Sequence, residues 1–326
     1  VSVGGRAPAR PRFLVTVDVE GDDLWSRPRT VTTENGRFLP RFQDLCERHG
    51  WPPTYLATFE MATSPRFRAF AADVLRRDAA EIGMHLHAWN SPPATPADDH
   101  RRQPRLTDYA EDVMRAKVAH LTRVLEEAFE RPVRSHRGGR WGFDERYARV
   151  LADRGYRVDS SVTPHVSWRR RTSESFDLSA PDYTGFPEAA YFVDLDDVSR
   201  EGASPLLEVP VTTCRIPLTD GPRGSGDAVP AVVRWLRPNG RNRKALLWVA
   251  RRALAERREC LVLVLHSSEL MPGGSPALPR TEDVEALYAD LAALFGELAG
   301  SVVGRTLAQF HDERVGPAAP PPGARA

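Results

Sequence analysis

The chain has few cysteines. Cys46, Cys214 and Cys260 are the only three in 326 residues, odd in number, far apart and without a CxxC pair. A disulfide framework and a zinc finger are therefore excluded, and a reducing compartment is expected. An excess of either charge is also missing: 45 basic and 44 acidic side chains leave a formal net charge of +1, so neither a nucleic acid nor an anionic membrane is the expected partner. No apolar run is long enough to span a membrane, and the opening "VSVGGRAPARPR" lacks the apolar core of a signal peptide. These absences predict a soluble, cytoplasmic protein acting on a small molecule or oligosaccharide. Neither GxGxxG nor GxxxxGK[ST] occurs in "RSHRGGRWGFD", which excludes a phosphate loop there.

What the sequence does have is alternation. Short apolar or β-branched runs ("RFLVTVDV", "PTYLATFE", "EIGMHLH", "CLVLVLHSSEL") are separated by amphipathic stretches such as "RFLPRFQDLCERHG" and "PRFRAFAADVLRRDAA". That is the βαβ rhythm of a mainly parallel sheet in an α/β protein. Helical spacing predicts a long helix over Leu106–Glu130 and a shorter one over Asp144–Arg154, and "PLLEVPVTTCRI" reads as one strand. Residues 163–204 break the rhythm with Pro, Ser, Asp and aromatics, as a functional excursion would. With no internal repeat or linker, the expected organisation is a flexible tail over 1–11, one catalytic domain over 12–313 and a disordered tail over 314–326.

Three apolar strands end in side chains that bind metals or move protons, and strand ends form the active face of parallel α/β folds. In "LVTVDVEGDD", Asp18 and Glu20 face one way because strand side chains alternate with period two; one carboxylate could hold a metal while the other stays free as a base. An isolated DxE is more often a solvated acidic loop. In "EIGMHLHAWN", His85 and His87 share a face if the strand persists to His87, close enough to grip one divalent ion, and Trp89 could roof the pocket. A structural role for the pair stays open on this pattern alone. "LVLVLHSSEL" delivers His266 to the sheet edge with Glu269 behind it, an arrangement suited to a general acid or to an ordinary capping histidine. Arg137 and Arg140 in "HRGGRWG" are candidates to orient a carboxylate or bind substrate oxygens.

In this order, from about Phe13 to His311, these stretches resemble the motifs of the polysaccharide deacetylases, carbohydrate esterases with a chitooligosaccharide deacetylase homology domain. The resemblance implies a single-domain distorted (β/α) barrel and a divalent metal, most often zinc, used to hydrolyse N-acetyl groups. "TVDVE" is similar to the first motif, with Asp18 as base and Glu20 as metal carboxylate. "EIGMH" leads into the second, with His85 as the first metal histidine; the family places its second four residues on, at Trp89 here, and His87 is the available substitute. "HRGGRWG" is similar to the third, in which Arg137 braces the base while aromatic and glycine residues, Trp141 among them, line the groove. "VDSSV" supplies Asp159 to the fourth. The fifth, "LVLVLHSSE", supplies His266 as general acid, Leu263 and Leu265 as an apolar acetyl pocket, and Glu269 beside the substrate. Other readings keep the scaffold: an amidohydrolase or O-acetyl esterase on a non-polymeric substrate, or a sugar-binding member without catalysis.

Overall fold

The computed structural model describes residues 10–316 apart from 27, 29, 97, 99–100, 170–178 and 218–230. The tails expected at 1–11 and 314–326 lie outside the described residues except for 10–11 and 314–316, and the last helix runs through Arg314 and Val315. Among the described residues the strands and α-helices follow in chain order as β1 (Arg12–Val19), α1 (Leu39–Glu47), β2 (Thr54–Ala57), α2 (Phe59–Thr63), α3 (Pro65–Arg76), β3 (Glu81–Leu86) and α4 (Glu111–Phe129). Then come β4 (Ser135–Gly138), α5 (Glu145–Asp153), β5 (Val158–Asp159), β6 (Tyr191–Asp194), β7 (Asp197–Glu201), β8 (Leu207–Glu208), β9 (Thr213–Pro217) and β10 (Ala231–Trp235). The chain ends with α6 (Arg243–Ala255), β11 (Cys260–His266), α7 (Thr281–Leu298), β12 (Val303–Gly304) and α8 (Leu307–Val315).

The main sheet runs β11-β1-β2-β3-β4-β5-β8-β6-β7. It is parallel from β11 to β8, and the β6–β7 hairpin is added antiparallel at one end. The sheet curls into a distorted barrel, in which the segment after β8 returns to the β11 edge at Thr212: its N–H donates to the Val262 carbonyl at 3.2 Å and its Oγ1 accepts from the Val262 N–H at 2.8 Å. β1 shows the alternation that builds the two layers. Phe13, Val15, Val17 and Val19 pack outward with the buried faces of the helices, each burial favourable by about 2 kcal/mol. Leu14 joins Val158, Leu207, Val209 and Val262 in a second cluster, closed by Leu307 and Phe310 of α8. Above it on the same face of β1 come Thr16 and Asp18, so the polar residues gather where the strands end.

Two boundaries differ from the sequence reading for local reasons. The helix expected from Leu106 starts at Glu111, because the Asp108 carboxylate accepts from the Arg105 N–H at 2.9 Å, closing a single 3-10 turn over Leu106–Asp108; Tyr109 and Ala110 then run extended. "PLLEVPVTTCRI" is two strands, not one. Pro210 lacks a ladder donor, so β8 stays in the barrel while β9 leaves it to pair with β10. Within the excursion, 170–178 lie outside the described residues, and its remainder includes the β6–β7 hairpin.

Candidate active site

β1 ends with Asp18 turned into the barrel mouth, where it is 2 % exposed. β4 runs three strands away, beyond β2 and β3, and presents Arg137, which is fully buried. Its Nη1 donates to Asp18 Oδ1 at 2.7 Å, Nη2 to Thr16 Oγ1 and to Ser160 Oγ at 2.9 Å each, and Nε to the Ser160 carbonyl at 2.7 Å. Every arm of the fork is thus satisfied, as a buried guanidinium requires. Burial pushes the Asp18 carboxyl up, but Arg137, His85 and His266 outweigh it and hold the group below the usual carboxylate range.

Glu20, two residues on, points at the histidines of the β3 exit. Its Oε2 lies 3.8 Å from His85 Nε2 and 3.4 Å from His87 Nε2, and the ligand atoms of the three residues all fall within 4.8 Å of one another. β3 ends at Leu86, so His87 is just beyond the strand, yet its ring still meets Glu20. Trp89, where the resemblance expects a histidine, stacks flat on His87 with centroids 4.3 Å apart and planes at 22°.

This cluster fits a divalent cation. His85 Nδ1 is 2.8 Å from the Arg137 carbonyl, which only accepts, so Nδ1 carries the ring hydrogen and Nε2 turns its lone pair toward Glu20. His87 Nδ1 is buried without a partner among the described residues. Burial raises Glu20 to about 7, with the Asp18, Glu60 and Glu269 carboxylates adding to the rise against His266. Burial also depresses His85 to about 4 and His87 well below its ordinary value. Two neutral imidazoles and a carboxylate aimed at one point form the donor set that Zn and similar ions prefer, and a cation there would make the ionised carboxylate the favoured form.

His266 closes β11, 12 % exposed at its side chain, with Nε2 3.8 Å from Asp18 Oδ2. Glu269 sits behind it, accepting from the His266 backbone N–H at 2.9 Å and lying 3.2 Å from Nδ1. Burial opposes charge on both residues. The surrounding carboxylates, Glu20 and Glu269, still raise His266 above the ordinary histidine value, and Arg237 and His266 bring Glu269 down to about 2.

Together these groups form the floor of a cleft of about 490 Å³ whose walls include Trp25, Trp89, Arg140, Trp141, Trp168 and Arg237. Four expected substrate contacts are placed elsewhere. Asp159 is fully buried, its carboxylate 2.5 Å from His136 Nδ1 and accepting from Ser161, so it supports the strand behind Arg137 instead of touching the cleft. Leu263 and Leu265 are fully buried in the outer layer: side chains alternate along β11, and if His266 faces the cleft, its odd-numbered neighbours face the helices. Glu269 orients His266 without lining the cleft. Two contributors escaped the sequence reading. Arg237, beyond β10, places Nη2 2.9 Å from Glu269 Oε1 and 3.0 Å from His266 Nδ1. Trp25, in a 3-10 turn over Leu24–Ser26, packs edge-on at 5.1 Å from His266. Neither belongs to a periodic element; the one available signal was a tryptophan five residues after Glu20.

No family model matches the sequence, and no curated protein matches it. Solved structures do. A protein from Mycobacterium smegmatis assigned as a polysaccharide deacetylase superposes with a TM-score of 0.55 over 96 % of this chain and 93 % of that one, at 15 % identity. A GH57 branching enzyme from Thermococcus kodakaraensis superposes at 0.52, over 94 % of this chain and 72 % of that one at 10 % identity. The 4-alpha-glucanotransferase of Thermococcus litoralis does so at 0.51, over 93 % and 40 % at 10 % identity. These likenesses are of fold: the chain is built on the barrel that these three proteins share. Within that fold class, the chain has the polysaccharide-deacetylase fold along nearly its whole length.

Proposed function

We propose that this protein is a metal-dependent hydrolase that removes an N-acetyl group from an amino sugar carried by a small molecule or glycoconjugate precursor. One observation carries the reading. A carboxylate held ionised by a buried arginine and a histidine backed by a carboxylate flank the Glu20, His85 and His87 cluster on the floor of one cleft. A glycosidase would need two carboxylates free to face the sugar. Here Asp18 is taken up by Arg137 on one oxygen and Glu20 by two imidazoles, which favours hydrolysis of an acyl bond.

Glu20, His85 and His87 would hold the cation. When bound, it supplies Lewis acidity toward the acyl oxygen and lowers the pKa of water. Asp18, kept anionic by Arg137, takes the proton of the water that attacks the acyl carbon. As the C–N bond breaks, His266 donates its Nε2 proton to the departing nitrogen, releasing acetate and a free amine. Glu269 steadies the imidazolium through Nδ1. Trp89, Trp141 and Trp168 offer flat apolar faces to a sugar ring, with Trp141 and Trp168 stacked at 5.9 Å and 16°.

The test is acetate release from a panel of N-acetyl and O-acetyl sugars by protein loaded with zinc. Asp18→Asn, which keeps an acceptor oxygen for Arg137, is expected to bind metal like the wild type and to lose at least ~10²-fold in turnover. Loss of metal in that variant would make Asp18 a ligand instead. Release from O-acetyl substrates alone would reassign the bond as an ester, and sugar binding without any release would make the protein a binding module.

A further inference from the structure

Of the three proposed ligands His85 stands in β3, while Glu20 and His87 stand on the loops leaving β1 and β3, and a metal site keeps its shape only if those loops keep their spacing. The peptide of Glu20 is fixed on every side. Its N–H donates to Ser267 Oγ at 3.2 Å, and its carbonyl accepts from Asn35 Nδ2 at 2.8 Å. Asn35 is itself held by Asp22, which accepts from the Asn35 N–H at 2.9 Å and from its Nδ2 at 2.6 Å. The next N–H, that of Gly21, donates to Glu60 Oε1 at 2.9 Å. Glu60 also reaches the other loop: its Oε2 accepts from Asn90 Nδ2 at 3.0 Å, three residues after His87.

From this geometry we infer that Glu60, on the short helix α2, is a positioning residue that straps the Glu20 loop to the His87 loop and so sets the spacing of the metal ligands. The inference rests on the metal site proposed above. A carboxylate suits the task because both oxygens accept, Oε1 from the Gly21 N–H of one loop and Oε2 from the Asn90 side chain of the other. The approach is tight on the β1 side: a Cβ on Gly21 would lie 2.2 Å from Val31 Cγ1 and 3.3 Å from Glu60 Oε1, so that loop has no slack to take up a lost bond. Partners one step removed from a metal commonly govern its affinity by 10- to 100-fold.

The experiment measures zinc affinity of the metal-stripped full chain by competition with a chelating indicator, and the visible spectrum of the cobalt form. Glu60→Ala is expected to weaken zinc about 10- to 100-fold and to change the cobalt spectrum. Asn90→Ala, which cuts only the far arm, should do so more mildly. Glu60→Gln is expected to recover most of the affinity, because its oxygen still accepts from Gly21 and its amide nitrogen can donate to Asn90 Oδ1, a buried atom that has no partner among the described residues. Wild-type affinity and spectrum in Glu60→Ala would overturn the strap alone. A wild-type protein that binds neither zinc nor cobalt would overturn both the strap and the metal site beneath it.

Discussion

Asp18 and Glu20 leave the same strand two residues apart and meet opposite electrostatic fates: a buried guanidinium keeps the first ionised, while burial raises the second to about 7. The same contrast sets the pH dependence of turnover. The proposed mechanism needs Asp18 deprotonated and His266 protonated, so on it kcat/KM should rise through a pKa below the usual aspartate range and fall through one above the usual histidine range. Glu269→Gln removes a negative charge from beside the imidazolium and should move the alkaline limb to lower pH. An unmoved limb would deny His266 the role of acid. Away from the cleft, Asp159 and Glu208 form a second buried carboxyl pair. His136 and Ser161 keep Asp159 ionised against burial, whereas burial and the Asp159 charge raise Glu208 well above the ordinary value. An acid whose folded pKa is raised binds its proton more tightly folded than unfolded, so it costs stability as pH climbs past the unfolded value of about 4.3, by at most ~1.4 kcal/mol per pH unit. Glu208→Gln keeps an acceptor for the Val162 N–H and should flatten that decline in urea unfolding between pH 5 and 8. An equally steep decline would contradict it.

Elements place these residues through strand alternation and glycine contacts. Period-two alternation made Asp18, Glu20, His85 and His266 legible in the sequence. The same rule, applied consistently, would have excluded Leu265 once His266 was assigned to the cleft. His87 lies past the end of β3, and what holds its ring in place is packing that no spacing reveals: Trp89 on one face and, beside it, Gly139 of the β4 exit. A Cβ on Gly139 would come within 2.4 Å of the Leu86 carbonyl oxygen and 2.6 Å of His87 Cδ2. Gly139→Ala should therefore displace the imidazole and weaken zinc by at least ~10-fold, read by the same competition titration; unaltered affinity would mean that His87 is not a ligand. Strands with strong apolar runs, β1, β3 and β11, were readable. The hairpins β6–β7 and β9–β10 were not, because their residues alternate weakly and Pro210 divides what composition presented as one strand. Arg237 and Trp25 escaped for a related reason, since both sit on irregular segments where no period exists.

At the scale of the whole molecule, the barrel brings together strand ends that are up to 248 residues apart in the chain, from Asp18 to His266, and Cα pairing in the β1–β11 ladder sets these two side by side. That neighbourhood follows from topology: parallel pairing aligns C-terminal ends, and the bridge at Thr212 closes the curl so that β4 can face β1 across the mouth. The α/β class and the βα rhythm could be read from the sequence, but strand order and closure could not, because non-local pairing leaves no mark on a single chain's periodicity. The same fold occurs in a deacetylase-assigned protein, a branching enzyme and a 4-alpha-glucanotransferase, so the fold alone does not decide the reaction, and the proposal rests on the cluster at the mouth. The most direct test is an anomalous-difference map of zinc-soaked crystals collected at the zinc edge. The account predicts one peak bounded by Glu20, His85 Nε2 and His87 Nε2, with Asp18 still on Arg137; a peak that omits His87, or none among these three residues, would contradict it.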